Sequence, residues 1–366
     1  MKSRNIVAQD TRVLVGADVH TRKHVVSVKI GDEKEARGPW QLSPRAEAWK
    51  SFLRKFPGCE IHVVYESGPH GYNLYDLLTE TEWEEKQNVH AYIVPAAEVP
   101  KTASEKQKKT DRRDSIALIR VIENGDFRPV VVPGREKREE RQLLRTRDQI
   151  KDTEKQFKNQ IHGFLKMHGV EYPNCKAWSG EWLREMQRNV RKRDTTGCLN
   201  MSLKSLFGML KYAQKELLNL NKKIGKLVKE GDCSATAQKI ECLTGIGTLS
   251  AAIIATEVAD FAAFDNSEAF SSYCCLVPGE HSSGDTVRRG RVVKSGNRRL
   301  KKILVEAAWI LIKYDPDMAS IYYRIKAGNK DRAGVAIVAV ARRLAVRVYH
   351  CVVNGARYPR PVVLLR

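Results

Sequence analysis

Val13-Leu-Val-Gly-Ala-Asp18 decides the fold class: five small or branched apolar residues run straight into one carboxylate. An apolar run this short, bounded by turn residues, predicts a buried strand rather than a helix. His24-Val-Val-Ser-Val-Lys-Ile30 follows after a short turn and predicts the second arm of a hairpin. Working outward, Ile61-His-Val-Val-Tyr65 and His90-Ala-Tyr-Ile-Val94 read as further strands, the latter stopped by Pro95. Helical spacing lies between and after them. Ser43-Pro44 predicts an N-cap with proline at the first helical position, opening a helix through Trp49, Phe52 and Leu53 that Pro57-Gly58 ends. Tyr72 to Leu78 predicts a second helix, and Asp111 to Glu123 a third, with Ala117, Leu118 and Ile122 on its apolar face. Strands alternating with helices predict an α/β layer domain over residues 10–134.

The rest of the chain reads as all-α. Over residues 135–232, Leu143, Ile150, Phe157 and Phe164 recur every seven residues. Leu203, Leu206, Leu210, Ala213, Leu217, Leu220, Ile224 and Leu227 then keep a 3-4 spacing, the coiled-coil period. Two such helices joined by a connector over residues 171–197 predict an antiparallel hairpin, a pairing with another subunit, or a plain bundle within one chain. Residues 233–366 form the third region. There Leu243-Thr-Gly-Ile-Gly247 before a small-residue helix (Ser250 to Val258) resembles a helix-hairpin-helix turn, whose glycines let backbone N–H groups approach a phosphate. Apolar helices are expected at Ile303 to Ile312 and Val335 to Val348.

With 366 residues and 42 % hydrophobic content the chain can bury several cores, which excludes wholesale disorder. Its 64 Lys and Arg against 43 Asp and Glu leave a formal charge of +21, which calls for a polyanionic partner. No run of apolar residues is long enough to span a bilayer, and Met1 to Val13 carries no signal-peptide pattern, so a cytoplasmic protein without a membrane partner is expected. The eight cysteines have no zinc-ligand spacing and predict reduced thiols.

Four acids stand out against this basic background. Asp18 closes the first strand and Glu66 the strand before Ser67-Gly-Pro-His-Gly71, while Asp111 and Asp114 share one helix face. Singly, each has an ordinary explanation as a turn, cap or ion-pair residue. Together they match the way ribonuclease-H-like sheets assemble a metal site: an acid ending each of two strands and a pair on a following helix. Phosphodiester cleavage uses such a cluster, because hard cations on carboxylates activate the attacking oxygen and neutralise the leaving one. Mg²⁺ is the expected cofactor, with Mn²⁺ a plausible substitute. Lys106, Lys108, Lys109, Arg112 and Arg113 bring dense positive charge beside the acids, as a solvated face or as a nucleic-acid track. Arg288, Arg289, Arg291, Lys294, Arg298 and Arg299 are the corresponding candidates near the C-terminus.

Gly16-Ala-Asp-Val-His20, Tyr65-Glu-Ser-Gly-Pro-His-Gly-Tyr72 and Lys109-Thr-Asp-Arg-Arg-Asp114 resemble the signatures of DEDD transposases of the insertion-sequence one-ten family. Leu243-Thr-Gly-Ile-Gly247, Leu276-Val-Pro-Gly-Glu-His-Ser-Ser-Gly284 and Lys294-Ser-Gly-Asn-Arg-Arg-Leu300 resemble the same family's C-terminal transposase domain. The resemblance implies a RuvC-like nuclease domain in which Asp18, Glu66, Asp111 and Asp114 hold metal. It also implies a serine nucleophile that holds a DNA end covalently, for which Ser282 and Ser283 are both candidates and Ser282 is preferred. Donor and target DNA, an element-encoded guide RNA and a homo-oligomer (dimer or tetramer), with one subunit's acids meeting another's serine, are implied in the same way.

Two other functions fit the residues. One is a structure-specific endonuclease that uses metal-activated water and needs no serine. The other is an inert nucleic-acid-binding protein on the same scaffold. The presence of all four acids speaks against the second.

Overall fold

The computed structural model describes residues 11–83, 88–96, 98–99, 110–125, 127–280, 289–293 and 295–358. Two compact units divide the chain, Met1–Val132 and Pro133–Arg366.

The first unit is built on strands β1 (Arg12–Val19), β2 (His24–Ile30), β3 (Arg37–Leu42), β4 (Glu60–Glu66) and β5 (Asn88–Val94), with helices α1 (Ala46–Leu53), α2 (Asn73–Glu80) and α3 (Asp111–Asn124). The sheet order is β3-β2-β1-β4-β5. A tight turn, in which His20 N donates to Lys23 O at 3.0 Å, folds β2 back antiparallel on β1. Strand β3 continues antiparallel, whereas β4 and β5 run parallel to β1. Central strand β1 is covered on both faces. Val13, Val15 and Ala17 pack with Trp49, Phe52 and Leu53 of α1 and with Leu74 and Leu78 of α2. Leu14 joins Val64 and Val94 against Ala117, Leu118 and Ile122 of α3. Burial on both faces is why the strand reads as an unbroken apolar run.

Two local expectations change. Arg37-Gly-Pro-Trp-Gln-Leu42 is a strand that the sequence reading leaves out, because Gly and Pro argue against strand; it is tolerated here at the sheet edge. Helix α1 starts at Ala46 rather than at Pro44, because Arg45 is still extended (φ −121°, ψ 148°).

The second unit is mainly helical: α4 (Arg135–Met167), α5 (Gly180–Arg191), α6 (Cys198–Glu230), α7 (Ser234–Glu241), α8 (Thr248–Glu257), α9 (Ser267–Tyr273), α10 (Arg298–Tyr314), α11 (Pro316–Lys326) and α12 (Ala333–Val353). A short pair of strands, β6 (Pro278–Glu280) and β7 (Arg289–Val292), lies before α10. Helices α4 and α6 form an antiparallel hairpin within the chain. Gln214 donates to Glu154, Arg147 to Asn221, and the backbone N–H groups of Asp232 and Cys233 donate to Glu140.

The α4 seam differs from the seven-residue reading. Its buried positions are Glu140, Leu144, Glu154, Ile161 and Leu165, while Leu143, Phe157 and Phe164 lie partly buried beside them. Hydrophobic periodicity cannot register Glu154, whose carboxylate takes Lys151 at 2.6 Å and Lys158 at 2.7 Å. The connector holds a helix of its own. Ser179 caps α5, whose Trp182, Met186 and Val190 fall one turn apart and plug the hairpin tip against Ile161, Leu165 and Phe207.

Helix α8 is buried from Ala251 to Glu257 and forms the centre of the large C-terminal core with α10 and α12. Gly245 in the turn before α8 has φ +90°, and an added Cβ would lie 2.4 Å from the carbonyl oxygen of Ala307. Close helix packing therefore accounts for this glycine. Among the described residues no helix is long and apolar enough to cross a membrane.

Candidate metal centre

Parallel pairing brings the strand acids together. Ala17 of β1 pairs with Tyr65 of β4, so Asp18 and Glu66, each the next residue, lie side by side at the C-terminal ends of these two neighbouring strands. The helix acids arrive by close packing. An added Cβ on Gly16 would lie 1.9 Å from the carbonyl oxygen of Ser115, so α3 seats its first turn on β1 where only glycine fits. Ser27 and Ser115 hydroxyls share a hydrogen bond of 2.8 Å that fixes the same contact from β2. Thr110 caps α3 by accepting from Arg113 N, which leaves the side chains of Asp111 and Asp114 uncommitted to capping.

Asp18, Glu66 and Asp114 line one cleft of about 210 Å³, walled by Tyr65 and the Ser67-Gly-Pro-His-Gly71 loop. Asp111 sits to one side. It forms, with Asp18 and His20, a group whose potential ligand atoms all lie within 4.8 Å of one another. His20 Nε2 is 3.2 Å from Asp18 Oδ2 and 3.9 Å from Asp111 Oδ2. Lys23 Nζ donates to Asp111 Oδ2 at 3.0 Å.

The electrostatics separate the two carboxylates. Burial raises the Asp18 pKa from its ordinary value; His20 opposes the shift, and the nearby Asp114 and Asp111 add to it. Asp111 is held below its ordinary value, first by the Lys23 hydrogen bond. Repelled carboxylates around one cleft are an oxygen donor set suited to a hard divalent cation. His20 and Lys23 are the site residues that the sequence reading missed. Their signal is the two-residue interval from Asp18 to His20 and the tight turn that returns Lys23 to the same end of the sheet.

A family model described as a transposase of the DEDD IS110 type matches residues 15–169, and a second, described as transposase IS116/IS110/IS902 family, matches residues 237–323. The chain belongs to the IS110 family of transposases. The putative transposase y4qE of Sinorhizobium fredii is 29 % identical, over 85 % of this chain and 74 % of its own length. The transposase for insertion sequence element IS1533 of Leptospira borgpetersenii is 25 % identical over 81 % and 85 % respectively. The transposase for insertion sequence element IS1111A of Coxiella burnetii is 27 % identical over 76 % and 74 %.

The first match spans all four acids of the transposase, and the second spans Ser282 and Ser283. Both serines lie outside the described residues, between β6 and β7, whose backbones pair Pro278 with Val292 and Glu280 with Arg289. Lys106, Lys108, Lys109, Arg288, Lys294 and the side chains of Arg289 and Arg291 are outside them as well. Arg112 and Arg298 are exposed, and Arg113 is half-buried.

Arg299 is engaged within the protein. Its guanidinium donates to Asp148 at 2.9 Å and to Glu257 at 2.7 Å. Glu257 also receives Arg145 through two hydrogen bonds of 2.9 and 2.8 Å and Asn297 at 2.9 Å. Burial alone would raise its pKa; the donors from Arg145, Arg299 and Asn297 outweigh that and hold it at about 2.

Proposed function

We propose that this transposase cleaves and rejoins DNA strands at its acidic cleft with a divalent metal ion, through a covalent serine–DNA intermediate directed by a guide RNA. The observation that carries the reading is the convergence of Asp18, Glu66 and Asp114 on one cleft, with Asp111 beside Asp18. A mixed sheet with an acid ending each of two neighbouring strands and a helix bearing two more supports a ribonuclease-H-like, RuvC-type reading of the first unit. The domain division follows: a catalytic domain over 10–134, a helical hairpin region over 135–232 and a transposase domain over 233–366.

In this reading Asp18, Glu66, Asp111 and Asp114 hold Mg²⁺, or Mn²⁺ in its place. When bound, the ion supplies charge neutralisation at the phosphate and at the leaving oxygen. Gly16 and Ser115 keep α3 close enough for its acids to share that work, and Lys23 holds Asp111 ionised. Ser282 or Ser283 attacks a DNA phosphorus. A serine–phosphorus ester forms as one P–O bond of the strand breaks, the serine proton is taken up by a base, and the leaving deoxyribose oxygen gains a proton. The phosphoester bond is conserved, so a second strand end can displace the serine without an external energy source. Exposed Arg112 and Arg298 are the described candidates for phosphate contacts, and assembly as a homo-oligomer belongs to the same proposal.

Trapping the adduct tests it. Purified protein with Mg²⁺, element-derived RNA and matching donor and target DNA should yield a covalent protein–DNA species. That species should be lost with Asp18→Ala and with one of Ser282→Ala or Ser283→Ala. Strand cleavage without an adduct, indifferent to both serines, would establish the alternative of a metal-dependent endonuclease acting through water.

A further inference from the structure

The second unit carries a pocket that plays no part in the chemistry above. It lies between α11 and α12, holds about 590 Å³ and is floored by Ile321, Ile325 and Val346. The pocket is open to solvent on one side, and its volume is in the range that takes a small ligand or one unit of a larger one (about 300–1,000 Å³). Arg324, Arg342 and Arg343 stand around it. Among the described residues none of the three makes an ion pair or a side-chain hydrogen bond, whereas neighbouring Arg347 is committed to Asp315 at 2.7 Å and stacks on Tyr358. Glu268 is the acidic residue among those lining the pocket. Residues 316–358 hold eight Lys and Arg against two Asp and no Glu, so the charge around the site is not balanced locally. The second family match ends at residue 323, before all three arginines.

Three unpaired guanidiniums around an apolar floor need a ligand that is anionic at its edge and apolar at its centre. A DNA duplex offers phosphates but keeps its bases stacked inside, and would leave the floor wet. A single strand offers both: phosphates to the arginines and an unstacked base to the isoleucines. Strand exchange by a transposase releases unpaired DNA, which makes such a strand available. We infer that the α11–α12 pocket is a binding site for single-stranded DNA, with Arg324, Arg342 and Arg343 on its phosphates and a base over Ile321, Ile325 and Val346. The site depends on DNA being the substrate and not on the metal or serine chemistry.

The test is binding of a labelled single-stranded deoxyoligonucleotide to the full chain by fluorescence anisotropy, without divalent metal so that no cleavage intervenes. The double variant R324A/R343A, both exposed positions, should bind several-fold more weakly. Its plot of log affinity against log salt should be shallower by about 1.4, or about 0.7 for each phosphate no longer neutralised. A339W, which fills the pocket and leaves the charge unchanged, should weaken single-strand binding while keeping the wild-type salt slope; the arginine variant stands alone if A339W does not fold. An unchanged slope for folded R324A/R343A overturns the inference. So does an equal loss on a fully paired duplex, or a preference for an RNA strand of the same sequence that the same variant abolishes.

Discussion

Two carboxylate clusters, one in each unit, show opposite solutions to burying negative charge. In the first unit Asp18 is partly buried among other acids, and burial and repulsion raise its pKa against the single opposing histidine. In the second unit Glu257 is 2 % exposed yet held at about 2, because two arginines and an asparagine saturate its oxygens. A carboxylate whose neighbours already supply the positive charge is part of the framework. One surrounded by more carboxylates is short of a cation, and the deficit marks a place for a ligand. The same contrast explains Arg299. Its basic stretch alone made it a candidate for nucleic acid, and the fold gives its charge to Asp148 and Glu257 instead.

The contrast is broken most forcefully at Glu257. Glu257→Ala removes the buried partner of half-exposed Arg145 and leaves Arg299 with Asp148 alone, and should cost about 1–3 kcal/mol of stability, the usual range for leaving a hydrogen-bonded partner unsatisfied. Urea unfolding would measure it; a loss below about 1 kcal/mol would mean that the cluster is not a framework element. Gly16→Ala tests the other side. The new Cβ meets the Ser115 carbonyl, so α3 must shift and carry Asp111 and Asp114 away from Asp18. DNA cleavage should fall on the order of 10²-fold, the cost of misplacing catalytic groups by about 1 Å. Unchanged cleavage would show that the helix acids do not act with Asp18.

The pH dependence is the smallest effect and sharpens the comparison. Folding depresses the Glu257 pKa from 4.5 to about 2, so its ionised form is favoured in the native state. The stability it contributes is fully present above pH about 4.5 and is lost as pH falls toward 2. Melting of Glu257→Gln against wild type across that window should converge at the acid end; a constant difference between them would contradict the assignment.

Much of the first unit was legible. Asp18 and Glu66 were readable as strand-ending acids because the strands are buried on both faces and end where the apolar runs end. Edge strand β3 was not, since a half-exposed strand carrying Gly and Pro has no apolar run to announce it. The role of Gly16 depends on how closely α3 approaches β1, which no spacing encodes. His20 and Lys23 sit on a local hairpin turn, but the contact of Lys23 with Asp111 joins residues 88 positions apart, and no local spacing encodes it. In the second unit the helices were legible from their period, but the α4 seam was not. Glu140 is tolerable in the interior because backbone donors distant in sequence, at Asp232 and Cys233, satisfy it, whereas Glu154 is held mainly by Lys151 and Lys158 of its own helix, with Gln214 added from α6. Helix α5 could have been found, since Ser179 precedes Trp182, Met186 and Val190 at helical spacing.

The most direct measurement is Mn²⁺ binding to the full chain, followed by electron paramagnetic resonance, for wild type, Asp18→Asn and Asp114→Asn. The cleft reading predicts a saturable site in the wild type, weakened on the order of tenfold or more by either substitution, with melting temperatures held. Equal binding by all three proteins would contradict it, because the ion would then sit elsewhere and the cleft lined by Asp18, Glu66 and Asp114 would not be a metal centre.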